Sequence, residues 1–185
     1  IALREAGLPF ELVKVGRDKR TADGEDFLAI NPYGYVPALV LDSGEVLLEG
    51  PAIVQWIADQ APERGLAPAA GSMDRYRLQS ALTLVNSEIH KPIGSLFNPA
   101  LSEEAKAATL QRVDARLKTL SAQLGDGPWL VGDAYSVADA YLFVVLAWLR
   151  VFKVDLGQWP VLAAHSARVA QRPAVQEALK AEGLA

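Results

Sequence analysis

The tripeptide Glu49-Gly50-Pro51 has the residue types best suited to binding a charged small molecule. The pattern before it predicts the end of a strand, and Pro51 suits the first turn of a helix, where its missing N–H needs no partner. A helix start offers free N–H groups and a partial positive charge to a carboxylate or phosphate, and Glu49 could bind an ammonium group. The same residues fit a dipole-favoured acid and a turn glycine equally well. The residues alone therefore leave two alternatives, a site for a zwitterionic amino-acid head and a structural turn.

A row of polar residues on a predicted helix is the second candidate. The helix begins at Ser72, and the row has spacings of three and four, so its side chains share one helix face. The row is Tyr76, Gln79, Thr83, Asn86 and His90. Such a row is either solvated or lines a cleft or an interface. A lone His on it is more often a surface residue than a functional one, and the default for Lys19, in a polar loop, is also solvent.

Ser136 and Asp139 could suggest nucleophilic chemistry, but their spacing is that of a helix capping box. The Ser136 hydroxyl would accept from the N–H of Asp139, and the Asp139 carboxylate from the N–H of Ser136. No His lies close to them in the sequence, and the helix behind them, 140–149, is apolar on every side. We therefore interpret the pair as structural and expect Asp139→Ala to cost ~1 kcal/mol or somewhat more.

Val36-Pro37 precedes a predicted hairpin strand. Proline cannot donate to a strand ladder, so it is expected at a strand edge, at a strand start or in a cis turn. Most X–Pro bonds are trans. The residues alone therefore predict a trans bond.

Two stretches of different character position these residues. Residues 1–62 mix helix and strand patterns, with an opening helix, an alternating strand over 10–15, a weak helix over 23–30, a hairpin over 38–48 and a helix from Pro51 to Gln60. The segment 61–71 is rich in Pro, Gly and Ala and is the best domain boundary. Residues 72–185 are helical in pattern throughout. The predicted fold is α+β, with a small α/β domain over 1–62 followed by an all-helical domain over 72–185.

Composition excludes several classes of function. The chain has 185 residues, no Cys, two His and a net charge of −4. Without Cys there is no disulfide framework and no thiol nucleophile from these residues, and two His argue against a transition-metal centre. Mild acidity without a Lys/Arg run argues against nucleic acid or an anionic membrane as a partner. No apolar run reaches the ~20 residues that span a bilayer, so we predict a cytoplasmic globular protein without a metal.

Three ordered motifs resemble the glutathione transferase family. They are Asn31-Pro-Tyr-Gly-Tyr-Val-Pro-Ala38, Leu48-Glu-Gly-Pro-Ala-Ile53 and Ser136-Val-Ala-Asp139. The stretches 1–7, 21–26 and 87–91 resemble the bacterial beta class in particular, and the resemblance covers essentially the whole chain. It implies a thioredoxin-like domain followed by a helical bundle, usually as a homodimer. It also implies an enzyme that conjugates the thiolate of its co-substrate glutathione to a small electrophilic, hydrophobic substrate.

The resemblance implies a role for six residues. Val36-Pro37 would be the family's cis bond, with the Val36 backbone pairing with the cysteinyl main chain of glutathione. Glu49 and Gly50 would bind the γ-glutamyl head. Lys19 and His90 match basic positions that reach the glycyl carboxylate and the sulfur region, which makes His90 the catalytic candidate. Where beta-class members often have an Asn that contacts the ligand, this chain has Thr83.

In the family, a first strand and a Tyr, Ser or Cys that follows it precede the position of Ile1. Because that strand is central in the family's sheet, we expect about a dozen or more further N-terminal residues, carrying the principal catalytic residue. The first strand of the thioredoxin-like domain is thus expected upstream of Ile1. Two alternative functions stay open: a non-catalytic glutathione-fold binding or interaction module, and a glutathione-dependent disulfide reductase if the upstream segment carries Cys.

Overall fold

The computed structural model describes residues 1–184, beginning with short helices and one hairpin. The hairpin that the sequence predicts is present, and its two strands pair antiparallel with Leu39 opposite Leu47. Asp26 caps the short helix that follows it by accepting a hydrogen bond from the Leu28 N–H. The elements are α1 (Ala2–Ala6), α2 (Phe27–Ile30), β1 (Ala38–Val40), β2 (Val46–Leu48) and α3 (Gly50–Gln60).

The predicted strand over 10–15 is wrong. Only Val15 pairs, in an isolated bridge with Thr21, and the side chains of Leu12 and Val13 are exposed. An alternating pattern forms a strand only where a neighbouring strand receives its backbone hydrogen bonds. Within residues 1–184, β1 and β2 pair with each other and form no ladder with this segment.

The second half of the chain is helical, as the sequence predicts, and its helices begin at residues that favour helix starts. Ser72 and Ser102 accept hydrogen bonds from the N–H groups of Arg75 and Ala105, and Pro160 and Pro173 stand in first turns. The elements are α4 (Met73–Leu84), a π-helical turn (Val85–His90), α5 (Lys91–Ser95), α6 (Glu103–Leu124), α7 (Val137–Ala147), α8 (Pro160–Ala170) and α9 (Pro173–Ala181). Single 3-10 turns occur at Pro62–Arg64, Trp148–Phe152 and Leu156–Gln158.

The π-helical turn interrupts the long helix that the sequence predicts to run on from Ser72. Pro92 has no N–H, and in an α-helix its ring would clash with the carbonyl of Glu88. The chain widens just before this residue, and the N–H of Lys91 bonds to the carbonyl of Asn86, five residues back. Such turns are frequent at functional sites, and His90 is the last residue of this one.

One apolar core joins the two halves of the chain. Ile53 and Ile57 of α3 pack in the same cluster as Leu78, Leu82 and Phe143 of the helical part. Two ion pairs reinforce this contact: Arg75 with Asp59, and Arg172 with Glu5. The position of each candidate residue in the first half is therefore tied to the helices of the second.

None of the helices in residues 1–184 is long and apolar enough to cross a membrane.

Candidate functional site

The loop before β1 is held by two polar side chains. Buried Asn31 donates from Nδ2 to the Tyr35 carbonyl at 2.7 Å and accepts at Oδ1 from the Tyr33 N–H at 3.1 Å. Lys19 donates from Nζ to the Gly34 carbonyl at 2.7 Å, so its ammonium group lies against this loop and is not free in solvent. These contacts fix the backbone that leads into Val36-Pro37.

The Val36-Pro37 bond is cis, so the trans default is wrong and the cis bond that the resemblance implied is confirmed. The Val36 side chain is 65% exposed. The Val36 backbone N–H and carbonyl make no backbone hydrogen bond among residues 1–184. An extended peptide could therefore pair with this residue through its main chain.

Glu49 has an unusual backbone conformation at the junction of β2 and α3. Its φ is 68° and its ψ 113°, a conformation that side-chain-bearing residues rarely adopt and that costs roughly 1–3 kcal/mol. Its carbonyl accepts from the N–H groups of Ala52 and Ile53 at 2.9 and 3.0 Å, while its carboxylate is exposed. Such conformations cluster at ligand sites, and no residue pattern around Glu49 predicts this one.

Gly50 begins α3 beside an open space. A Cβ built on this residue would meet no atom within 4 Å, so a ligand can approach the backbone at the positive end of the helix. Glu49 and Gly50 thus combine an exposed carboxylate with a helix start. This is the pairing of charges that a zwitterionic head needs, and it favours the ligand-site alternative over a plain turn.

His90 lies half-buried in a polar and aromatic setting at the end of the π-helical turn. Its Nδ1 is in contact with the hydroxyl of Tyr141, which donates to Oδ1 of Asn86 at 2.9 Å. Its ring meets Trp148 edge-on at a centroid distance of 4.8 Å. Burial lowers the pKa of His90, the charge of Lys91 lowers it further, and that of Glu49 opposes both.

The field of Glu49 links the two halves of the site. Its carboxylate raises the pKa of His90 and also, after the larger effect of burial, that of Tyr141. The charge of Glu49 thus acts on both groups, whereas the ammonium of Lys19 lies at the loop of Gly34.

An aromatic wall extends from His90. Trp148 packs edge-on against Phe97 at 5.6 Å, and Phe97 against Phe152 at 4.8 Å. Phe97 is exposed although it is large and apolar. The sequence does not single out Phe97, Trp148 and Phe152 as a group, because residues from separate elements show no common period.

Asp139 accepts more bonds than a capping box requires. Its carboxylate takes the N–H and hydroxyl of Ser136 at 2.8 and 2.9 Å, the N–H of Leu130 at 2.8 Å, and Nε2 of His165 at 2.8 Å. The structural interpretation is confirmed, but His165, 26 residues further along the chain, was missed. Asp139 and His165 are fully buried and Ser136 bonds the carboxylate and not the His, so the three are not a nucleophilic triad. Among residues 1–184 no acidic, His or Cys cluster could hold a metal.

Two family models match the chain. The model described as glutathione S-transferase, N-terminal domain, matches residues 1–60, and the one described as glutathione S-transferase, C-terminal domain, matches residues 84–173. Together they cover both the hairpin with α3 and most of the helical part. The chain therefore belongs to the glutathione S-transferase family, and the predicted family and fold are confirmed.

Individual relatives agree over the full length. The glutathione S-transferase GstA of Escherichia coli O157:H7 is 42% identical over 185 residues, which is 100% of this chain and 92% of that protein. A sphingomonad glutathione S-transferase structure, complexed with glutathione, is 54% identical with a TM-score of 0.95, over 100% of this chain and 92% of that one. A bacterial beta-class enzyme of Sphingomonas chungbukensis is 49% identical with a TM-score of 0.96, over the same shares. The chain is thus a transferase of the bacterial type, with glutathione as its co-substrate.

Proposed function

We propose that the chain binds glutathione along the cleft between β1, α3 and the π-helical turn. Glu49 would bind the ammonium of the γ-glutamyl head, and the N–H of Gly50 its carboxylate. The Val36 backbone before cis Pro37 would pair with the cysteinyl main chain, and Lys19 would attract the glycyl carboxylate. The observation that carries the proposal is the strained Glu49 beside the open space at Gly50.

In the reaction we propose, the glutathione sulfur attacks an electrophilic carbon. For an aryl halide, a C–S bond forms, the halide leaves with its electron pair, and the thiol proton passes to a base. A free thiol with a pKa near ~8.5 is mostly protonated at neutral pH, so a nearby base accelerates the attack. His90 suits this role because its lowered pKa keeps the imidazole neutral and able to accept a proton.

The electrophile would lie against the aromatic wall of Phe97, Trp148 and Phe152. These rings provide an apolar surface next to His90, which fits a small hydrophobic substrate.

By the same resemblance, we propose that the chain acts in the cytoplasm as a homodimer. Sedimentation equilibrium at micromolar concentration would give the mass of a dimer, and a monomer mass would contradict that part.

The test compares Glu49→Gln with Glu63→Gln, a matched change at an exposed Glu of the 3-10 turn after α3. We expect Glu49→Gln to weaken glutathione binding about tenfold, measured by calorimetry, because a charge-assisted hydrogen bond of ~1.5 kcal/mol is lost. Glu63→Gln should bind as the unaltered chain does. Equal affinity in all three proteins would contradict the assignment of the head site.

Turnover separates an enzyme from a binding module. With glutathione and a model aryl halide, the unaltered chain should show a saturable rate, and His90→Gln should lose most of kcat while still binding glutathione. A chain that binds glutathione tightly but gives no saturable rate would support the non-catalytic alternative. Reduction of a mixed glutathione disulfide, without turnover of the halide, would support the reductase alternative.

A further inference from the structure

The hydrogen-bond chain behind His90 determines which nitrogen of the imidazole carries the proton. The Tyr141 hydroxyl contacts Oδ1 of Asn86 on one side and Nδ1 of His90 on the other. An amide oxygen can only accept, so the single hydroxyl proton of Tyr141 goes to Asn86. The phenol oxygen is then left as an acceptor, and Nδ1 of His90 must be the donor to it.

We propose that Asn86 and Tyr141 are positioning residues that hold neutral His90 with its proton on Nδ1, so that Nε2 is the free acceptor for the thiol proton. Nε2 makes no hydrogen bond within residues 1–184 and is in contact with solvent. This inference rests on the proposed function, because it assigns the supporting residues of the base used there. Neither Asn86 nor Tyr141 touches the reacting atoms in it.

The geometry of three elements supports the assignment. Asn86 and His90 lie four residues apart in one π-helical turn, and both contact Tyr141 across the boundary with α7. Trp148 packs against the imidazole in a T-shaped contact and limits its rotation. A base whose ring and tautomer are both fixed needs little reorganisation when the substrate arrives.

The surrounding charges keep the chain of hydrogen bonds in this state. Burial raises the pKa of Tyr141 well above its ordinary value, so its hydroxyl keeps its proton at neutral pH. The charged groups that act on His90 are Lys91, its neighbour, and Glu49 from the other half of the site. A neutral imidazole beside a neutral phenol leaves the tautomer to be decided by Asn86.

The first test is nitrogen NMR of protein labelled with 15N-histidine. The chain has two His, so there are only two imidazoles to assign, and His165 reports separately on the fold. At neutral pH we expect His90 to show a protonated Nδ1 and an unprotonated Nε2. Tyr141→Phe, which keeps the ring but removes the hydroxyl, should abolish that preference while the His165 signals stay unchanged.

Substitutions of Asn86 test the direction of the hydrogen bonds that run from His90 through Tyr141 to Asn86. Asn86→Leu removes the acceptor, so the Tyr141 proton can turn towards Nδ1, and we expect His90 to move to the form protonated at Nε2. Asn86→Asp keeps an acceptor and should retain the original tautomer. Its added negative charge should move the acid limb of the kcat/KM profile to higher pH, because it favours protonated His90.

Kinetics with glutathione and a model aryl halide supply the functional measure. Tyr141→Phe should lower kcat about tenfold or more and change KM for glutathione little, since the hydroxyl acts on the base and not on binding. Tyr135→Phe is the control: its buried hydroxyl has no hydrogen-bond partner among residues 1–184, and its rate should equal that of the unaltered chain.

The inference and the proposed function fail in different ways. A protonated Nε2 on His90 in the unaltered chain, or an unchanged tautomer in both Tyr141→Phe and Asn86→Leu, would overturn the inference even in an active enzyme. If His90 of the unaltered chain is protonated on Nδ1 but Tyr141→Phe leaves kcat unaltered, the positioning role of Tyr141 is overturned. Absence of all turnover, with the tautomer as expected, would overturn the proposed function instead.

Discussion

At the scale of single residues, the site is set by conformations and partners that the sequence shows only in part. The residue types of Glu49, Gly50 and His90 make them candidates for the site. A carboxylate can bind an ammonium group, a glycine leaves a helix start open to a ligand, and an imidazole can accept a proton. The left-handed φ of Glu49 and the contact between His90 and Tyr141 could not be predicted. Both depend on how segments distant in the sequence pack together. Tyr141 lies in a helix that is apolar on every side, and that pattern predicts burial but no polar role for its hydroxyl.

The pKa of His90 gives a prediction at this scale. Burial and Lys91 lower it and Glu49 raises it, so Glu49→Gln should lower the NMR titration midpoint of His90 further and Lys91→Gln should raise it. The unfolded chain takes up a proton near pH ~6.5 that the folded chain accepts only at lower pH. The contribution of His90 to stability is therefore complete above that pH and is lost as the pH falls towards the folded midpoint.

The His165 signals in the same spectra are the control for the fold, because that residue is fully buried against Asp139 in the helical part. A His90 midpoint above the value of the unfolded chain, or one that moves the same way in both variants, would contradict this account.

At the scale of elements, the starts of helices were predictable and their irregularities only partly so. Ser72, Ser102 and Ser136 cap helices because a short hydroxyl side chain satisfies a free N–H group. Pro92 was visible in the sequence, but its effect depends on whether the helix ends, kinks or widens at that position. The alternating segment over 10–15 failed as a strand because pairing is a property of two segments.

Asp139 offers a prediction for the start of α7. The sequence alone predicts a cost of ~1 kcal/mol or somewhat more for Asp139→Ala, but the carboxylate accepts from Ser136, Leu130 and His165 inside the core. Removing it leaves several buried donors without partners, so we expect a loss of about 3–5 kcal/mol, measured by urea denaturation. Asp139→Asn, which keeps one acceptor oxygen, should lose less; a loss near 1 kcal/mol in Asp139→Ala would contradict the expectation.

At the scale of the whole molecule, the site exists because a part with mixed helix and strand patterns shares a core with an all-helical part. The difference between these patterns was predictable from the residues, whereas the shared cluster of α3 with α4 and α7 was not. Periodicity shows which face of a helix is buried but does not identify its neighbour. Because Glu49 belongs to one part and His90 to the other, the packing between the parts determines their separation.

The shared core predicts that both parts unfold together. Ile57 on α3 is 3% exposed and lies in the cluster with the helical part. Ile57→Ala should cost about 2–5 kcal/mol and shift one common transition, followed by Trp fluorescence and by helical circular dichroism. Leu28→Ala, at an exposed apolar residue of α2, should change little. Two separate transitions in the unaltered chain would contradict a common core.

The backbone of Glu49 has a consequence for the evolution of this position. Glycine would adopt the same φ and ψ without steric cost, so replacing Glu49 with glycine relaxes the chain while deleting its carboxylate. Thermal stability thus favours glycine at this position, whereas ligand binding favours glutamate. Selection for stability alone would therefore favour glycine at this position, and selection for ligand binding would keep the acid.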